Sequence, residues 1–229
     1  YSDLEQGARE ILSKDFQIID LDFYYECMLK GTGKDLVLLH GYLSSKEAFT
    51  AQIRYFSKFY RVTAIDFAGF GQSMPLMQAF SVEDYAIWTE EILRLLGVVH
   101  PHVIAHSFGC RVAVKLEAKQ PEFFDKILLT GAAGIVLRRG LSYHCKVKSY
   151  RLVRRFAPQY AERHFGSSEY RGLSPIMKES YKKIVNEDLR NLAKRVKNEV
   201  LIETARVTDE KIEIDETVKV IIDSKLQII

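Results

Sequence analysis

The sequence predicts an α/β fold: a mostly parallel, doubly wound sheet with helices on both faces and a helical cap inserted late in the chain. Three observations predict it. Over the first 135 residues, short β-branched or apolar runs alternate with helical patterns, as parallel strands joined by crossover helices do. One such run, Asp35–His40, is almost continuously apolar, which suits a strand buried on both faces of a parallel sheet. From Arg138 to Lys197 no strand-like run occurs, and apolar residues recur at helical spacing among many Lys and Arg.

Taken in order, Phe16–Asp20 and Phe23–Leu29 read as an opening pair of strands, and the turn Gly31-Thr32-Gly33 leads into Asp35–His40. A helix near Lys46–Lys58, the strand Tyr60–Asp66, a glycine-rich turn and a helix near Ser81–Leu96 follow. Ser81 supplies a capping side chain, and Glu83 with Asp84 places acids where the helix dipole favours them. His102–Ala105 is the next strand, Phe108–Lys119 the next helix and Lys126–Thr130 the next strand. Beyond the insert, Glu199–Ile202 restores a strand, Asp215–Ile222 reads as a helix and Lys225–Ile229 as one more strand. The chain therefore divides into a first part of the core at 1–137, the insert at 138–198 and a last part of the core at 199–229. Charge marks the same division. Residues 138–198 hold 16 Lys or Arg against five acids, whereas the rest holds 17 basic and 25 acidic residues.

At 229 residues, 47% apolar and 28% charged, the chain is long enough for a sizeable single core and unlike disordered, collagen-like or disulfide-scaffold sequences. No apolar run approaches the roughly 20 residues that span a bilayer, and Tyr1–Glu10 is acidic instead of a basic flank to a secretory segment. The expectation is a cytoplasmic protein with no membrane span. Cys27, Cys110 and Cys145, odd in number and far apart, read as buried thiols and not as a disulfide framework or a zinc site. The basic residues form no recognisable nucleic-acid module, so nucleic acid is not an expected partner. The charge of the insert suits an anionic small-molecule substrate or an acidic surface, although solvation of its helices accounts for it equally. No metal or organic cofactor is indicated.

Chemistry enters at Ala105-His106-Ser107-Phe108-Gly109, which stands between a buried strand and a helix start. That is the context a nucleophile elbow requires: a tight turn lifts the serine hydroxyl clear of the sheet, so its flanks must be small. Gly109 keeps the second small position, and Ala105 replaces glycine at the first. The helix start supplies free N–H groups, that of Phe108 among them, and the positive end of a dipole. Two further segments stand in order before it, Leu39-His40-Gly41-Tyr42 and Asp66-Phe67-Ala68-Gly69-Phe70-Gly71-Gln72-Ser73.

With these three segments the chain resembles the α/β-hydrolase superfamily over nearly its full length. The resemblance implies a serine hydrolase that cleaves an ester, thioester, amide or activated carbon–carbon bond of a small molecule through an acyl-enzyme on Ser107, with no cofactor. Backbone N–H groups of Tyr42, from the HG loop, and of Phe108 would form the oxyanion hole; His40 and Asp66 would only pin loops. A serine at the elbow counts against dehalogenase and epoxide-hydrolase chemistry, which uses aspartate. The triad acid should follow the strand at Glu199–Ile202. Asp209 is the first choice, with Glu203 and Asp215 open because Glu203-Thr204-Ala205 replaces the family's glycine-containing stretch. The triad histidine should come just past the strand at Lys225–Ile229, and so beyond Ile229. None of the six histidines present fits its place, His144 and His164 in the insert being the remaining alternatives. A non-catalytic ligand-binding protein on a degenerate α/β-hydrolase scaffold is the second reading. Ala105, the altered 203–205 stretch and the absent histidine favour it; Ser107, the Tyr42 loop and the glycine turn oppose it.

Overall fold

A computed structural model describes residues 26–135, 149, 155–156, 168–203, 205–208 and 211–214. Six strands, β1 Glu26–Lys30, β2 Asp35–Leu39, β3 Arg61–Asp66, β4 His102–His106, β5 Lys126–Thr130 and β6 Glu199–Glu203, form one sheet in the order β1-β3-β2-β4-β5-β6. β1 runs antiparallel at the edge, and the other five strands are parallel. This is the mostly parallel sheet the sequence predicts, with boundaries within three residues of the expected ones.

Because side chains alternate along a strand, each parallel strand feeds two cores. Val37, Leu39, Ile65, Val103, Ala105, Ile127 and Leu129 face one way and bury against the helices Val82–Leu95 and Phe108–Lys119. Leu36, Leu38, Val62, Ala64 and Ile104 face the other way and meet Phe49 and Ile53. All five residues of β2 are buried, as its unbroken apolar run requires. The helix expected near Lys46–Lys58 is a 3₁₀ turn, Lys46–Phe49, followed by α1, Thr50–Phe56. Its start is held from outside: the Asp66 carboxylate accepts from both the Lys46 backbone N–H, at 2.6 Å, and Nζ, at 3.0 Å. Helix α2, Val82–Leu95, opens with a reciprocal cap, in which Ser81 Oγ accepts from the Asp84 N–H and Asp84 accepts from the Ser81 N–H. Helix α3, Phe108–Lys119, runs from the elbow back along the sheet.

Within the insert, the described segment from 168 to 198 is helical: α4 Ser168–Gly172, α5 Pro175–Asn186 and α6 Arg190–Ala193. Ser174 accepts from the Met177 N–H and Pro175 stands at the first position, so α5 begins where its sequence signals place it. Its stripe Met177, Ser180 and Ile184 is buried, and Met177 and Ile184 belong to the same apolar cluster as the sheet. The hydroxyl of Ser180 donates to Phe80 O, and Lys183 Nζ donates to Ala79 O. One arrangement was not expected. Ala205–Thr208 (β7) and Lys211–Ile214 (β8) pair antiparallel, where the sequence reading assigns no element. The alternation in Lys211-Ile212-Glu213-Ile214 carries the signal. The elements expected at Phe16–Asp20, Asp215–Ile222 and Lys225–Ile229 lie outside the described residues. Among the described residues no helix is long and apolar enough to cross a membrane.

Candidate active site

Ser107 sits between β4 and α3 with φ 49° and ψ −103°, a conformation that non-glycine residues rarely adopt and that costs about 1–3 kcal/mol. Its surroundings hold it there. The Ser107 N–H donates to Thr130 O at the end of β5, and Ser107 O accepts from the Cys110 N–H. On the far side, the Gly109 N–H donates to His40 O at the end of β2. A Cβ on Gly109 would lie 2.3 Å from Leu39 O and 2.9 Å from His40 O, so only glycine lets α3 approach the strand this closely. Ala105, by contrast, is fully buried and packs its methyl into the core. The elbow's need for a small residue thus falls on position 109, which explains why the departure at 105 is tolerated. Gly109→Ala is expected to cost about 3 kcal/mol or more, because the obstacle is backbone and cannot swing away; urea denaturation of the two proteins measures it.

The loop after β2 is built on His40. The Phe67 N–H donates to Nε2 at 3.0 Å, which fixes that nitrogen as an acceptor and leaves Nδ1–H to donate to Gly41 O at 2.7 Å. The ring is buried, and burial lowers its pKa despite the opposing pull of Gly41 O and Asp66. A histidine with a lowered folded pKa contributes stability that is complete above the ordinary value near 6.5 and declines as pH falls below it, since the unfolded chain takes up the proton first. Wild-type stability is therefore expected to fall as pH drops below about 6.5, and His40→Gln to show a shallower slope from a lower starting point. Urea midpoints at several pH values check this.

The next loop is built on Asp66. Its carboxylate accepts from Lys46 N, Lys46 Nζ and Gln72 N, its carbonyl accepts from Ser73 Oγ, and a Cβ on Gly71 would lie 2.1 Å from Oδ2. Burial opposes the charge on Lys46, but its hydrogen bonds to Asp66 and Glu47 more than offset this and raise its pKa. Both His40 and Asp66 thus pin loops, as the sequence reading expects.

Tyr42, Ser107 and Phe108, the expected nucleophile and oxyanion donors, come together on a cavity of about 280 Å³. Phe108 opens α3, where a helix N–H has no intrahelical acceptor. The Tyr42 ring lies 5.6 Å from that of Phe108, 4.9 Å from Phe70 and 5.2 Å from Tyr181, and its hydroxyl donates to Met177 O at 3.1 Å. Burial raises the pKa of the Tyr42 phenol, so the hydroxyl remains a donor. Burial also pushes the Cys110 thiol up to about 12, and its Sγ donates to Ala105 O, as suits a structural thiol.

The acid and the base stand differently. Asp209, Asp215, His144 and His164 lie outside the described residues, and Glu203 closes β6 opposite Thr130. Among the described residues no histidine bonds to Ser107. His106 Nδ1 contacts Thr130 Oγ1 at 3.0 Å, His100 Nδ1 contacts Glu122 O, and His102 begins β4 at the opposite end of the strand. The sequence reading missed Arg111, Tyr181 and Ile184, which also line the cavity. Arg111 had a signal: it stands four residues after Ser107 in a largely apolar helix start, and i,i+4 neighbours share a face. The α5 residues had none, because only tertiary packing brings α5 over the elbow.

A buried parallel strand, a strained turn and a helix start on a cavity define the nucleophile-elbow class of α/β proteins. The family model described as alpha/beta hydrolase fold matches residues 35–165, more than half of the chain, and the chain belongs to that family. Over 104 residues it is 32% identical to the (E)-2-((N-methylformamido)methylene)succinate hydrolase of Acinetobacter baylyi, which covers 45% of this chain and 38% of that protein. Over 124 residues it is 28% identical to the uncharacterized hydrolase YugF of Bacillus subtilis, covering 54% of this chain and 45% of that one. The solved structure of a hydrolase from Oleispira antarctica matches with a TM-score of 0.60 at 20% identity, over 79% of this chain and 76% of that one, and shares its fold. The chain spans less than half the length of these two curated relatives.

Proposed function

We propose that the protein is a serine hydrolase that cleaves an acyl bond of a small molecule through an acyl-enzyme on Ser107. The strained φ of 49° at Ser107, on a cavity and at a helix start, carries this reading, because strain of this kind persists where it serves chemistry. Ser107 Oγ attacks the carbonyl carbon, the N–H groups of Tyr42 and Phe108 receive the developing oxyanion, the leaving group departs and water then releases the acyl group. The base is a histidine beyond Ile229, oriented by Asp209, with Glu203 and Asp215 as the other candidate acids. Residues 138–198 act as the cap, and α5 supplies its inner wall through Tyr181 and Ile184. The hydrolase names of the two curated relatives support the reaction class.

A fluorophosphonate probe tests the reading. The full-length protein is expected to be phosphonylated at Ser107, located by peptide mass spectrometry. No labelling, beside a control hydrolase that labels, would favour the non-catalytic scaffold. Asp209→Asn is expected to slow labelling by about 10²-fold or more if Asp209 orients the base; an unchanged rate moves the role to Glu203 or Asp215.

A further inference from the structure

Among the described residues on the cavity, Arg111 is the one whose charge the reaction described above does not use. Its side chain is 8% exposed. It lies in the first turn of α3, four residues after Ser107, and lines the same cavity. A guanidinium offers five N–H donors in a rigid plane. Nη1 gives both of its hydrogen bonds to backbone carbonyls near the end of α5, Ile184 O and Glu187 O, each at 2.9 Å. Among the described residues, Nε and Nη2 have no protein hydrogen-bond partner, yet neither is a buried polar atom left unsatisfied. They therefore keep access to space, and Arg111 borders the cavity it shares with Ser107.

The charge itself needs an explanation. A cation this buried costs several kcal/mol unless it is paired. Among the described residues no carboxylate forms an ion pair with Arg111; the charges of Glu187 and Asp188 favour its guanidinium from a distance, but the Glu187 carboxylate is held by Lys115 at 2.6 Å. Tying down two carbonyls accounts for Nη1 and leaves the other half of the fork over. Burial lowers the pKa of Arg111, but arginine starts so high that it stays charged at every physiological pH. The positive end of the 12-residue α3 faces the same space. Tyr181 lines the cavity as well, and its hydroxyl has no hydrogen-bond partner among the described residues.

We propose that Arg111 is the carboxylate receptor of the pocket, and that the substrate is a half-ester or half-amide of a short dicarboxylic acid, its free carboxylate on the guanidinium while its scissile carbonyl lies at Ser107. A succinyl-sized or glutaryl-sized acyl group fits the cavity of about 280 Å³ that Arg111 and Ser107 share. The inference deepens the hydrolase reading by naming its substrate class, and it rests on that reading only for the reaction, not for binding.

Calorimetric titration of the full-length protein tests it with two unreactive ligands. 4-Oxopentanoate carries the carboxylate and a carbonyl without a leaving group; hexane-2,5-dione is its neutral counterpart. Wild type is expected to bind the acid at least tenfold more tightly. Arg111→Gln should erase that preference and change the affinity for the neutral diketone less than twofold, and Arg111→Lys should keep part of it, as a point charge without the fork. Ser107→Ala should keep all of it, so failure of probe labelling with the preference intact would sink the hydrolase reading alone. Equal affinity of wild type for the two ligands, failure of wild type to bind the acid, or an undiminished preference in folded Arg111→Gln would overturn the assignment. Should Arg111→Gln not fold, the wild-type ratio and the Arg111→Lys result decide.

Discussion

Ser107→Ala in the full-length protein is expected to lose covalent labelling by a fluorophosphonate and to lower ester turnover by about 10⁵–10⁶-fold, leaving only what oxyanion stabilisation and binding supply. The size of the effect follows from the division of labour at the elbow. In the proposed mechanism every other group there places or polarises, whereas the hydroxyl forms the bond. Stability should respond far less than activity. The backbone at 107 is held at φ 49° by Thr130 O, Cys110 N and the docking of Gly109 against β2, none of which uses the serine side chain. Ser107→Ala should therefore melt within about 2 °C of wild type, a shift of 1 kcal/mol or less for a chain of this size. Ser107→Gly, which removes the Cβ from a left-handed position, should melt higher. Differential scanning calorimetry with labelling on the same samples separates the two effects. Residual turnover above a hundredth of wild type in Ser107→Ala would remove the serine from the chemistry.

Asp66→Ala is expected to cost about 3–5 kcal/mol of stability, the usual consequence of removing one partner of a buried ion pair. Asp66 is fully buried and Lys46 is 4% exposed. Loss of the carboxylate takes one acceptor from the Lys46 ammonium, which keeps Glu47 at 3.1 Å, and leaves the Lys46 backbone N–H and the Gln72 N–H without theirs. The expected fall in melting temperature is about 6–20 °C. Asp66→Ala with Lys46→Met should recover part of the loss, since replacing both partners removes the buried charge. A loss below 1 kcal/mol in the single variant would show that Glu47, 3.1 Å from Lys46 Nζ, carries the compensation by itself.

How far the sequence could be read depended on the range of the interaction. Local signals were reliable: Phe108–Lys119 and Lys126–Thr130 are the very spans expected, and Ser81 caps α2 with Asp84 as its chemistry predicts. The β7–β8 pair is not legible in the sequence, because strands of four residues with many polar side chains carry a weak periodic signal. The expected acid, Asp209, lies outside the described residues.

The sequence by itself determined the α/β class, the order of the parallel strands' motifs and the place of Ser107, for a physical reason. Strand burial, helix capping and the tight elbow each depend on residues within a few positions of one another, so composition and spacing record them directly. Only the tertiary structure decided which small residue the elbow cannot do without. The approach of Gly109 to Leu39 O is a contact between segments 70 residues apart, and nothing local to Ala105 or Gly109 tells the two positions apart. It also decided that Arg111 shares a cavity with Tyr181 and Ile184. A charged residue on a helix reads the same whether it meets solvent or a buried pocket, until the fold brings another helix over it.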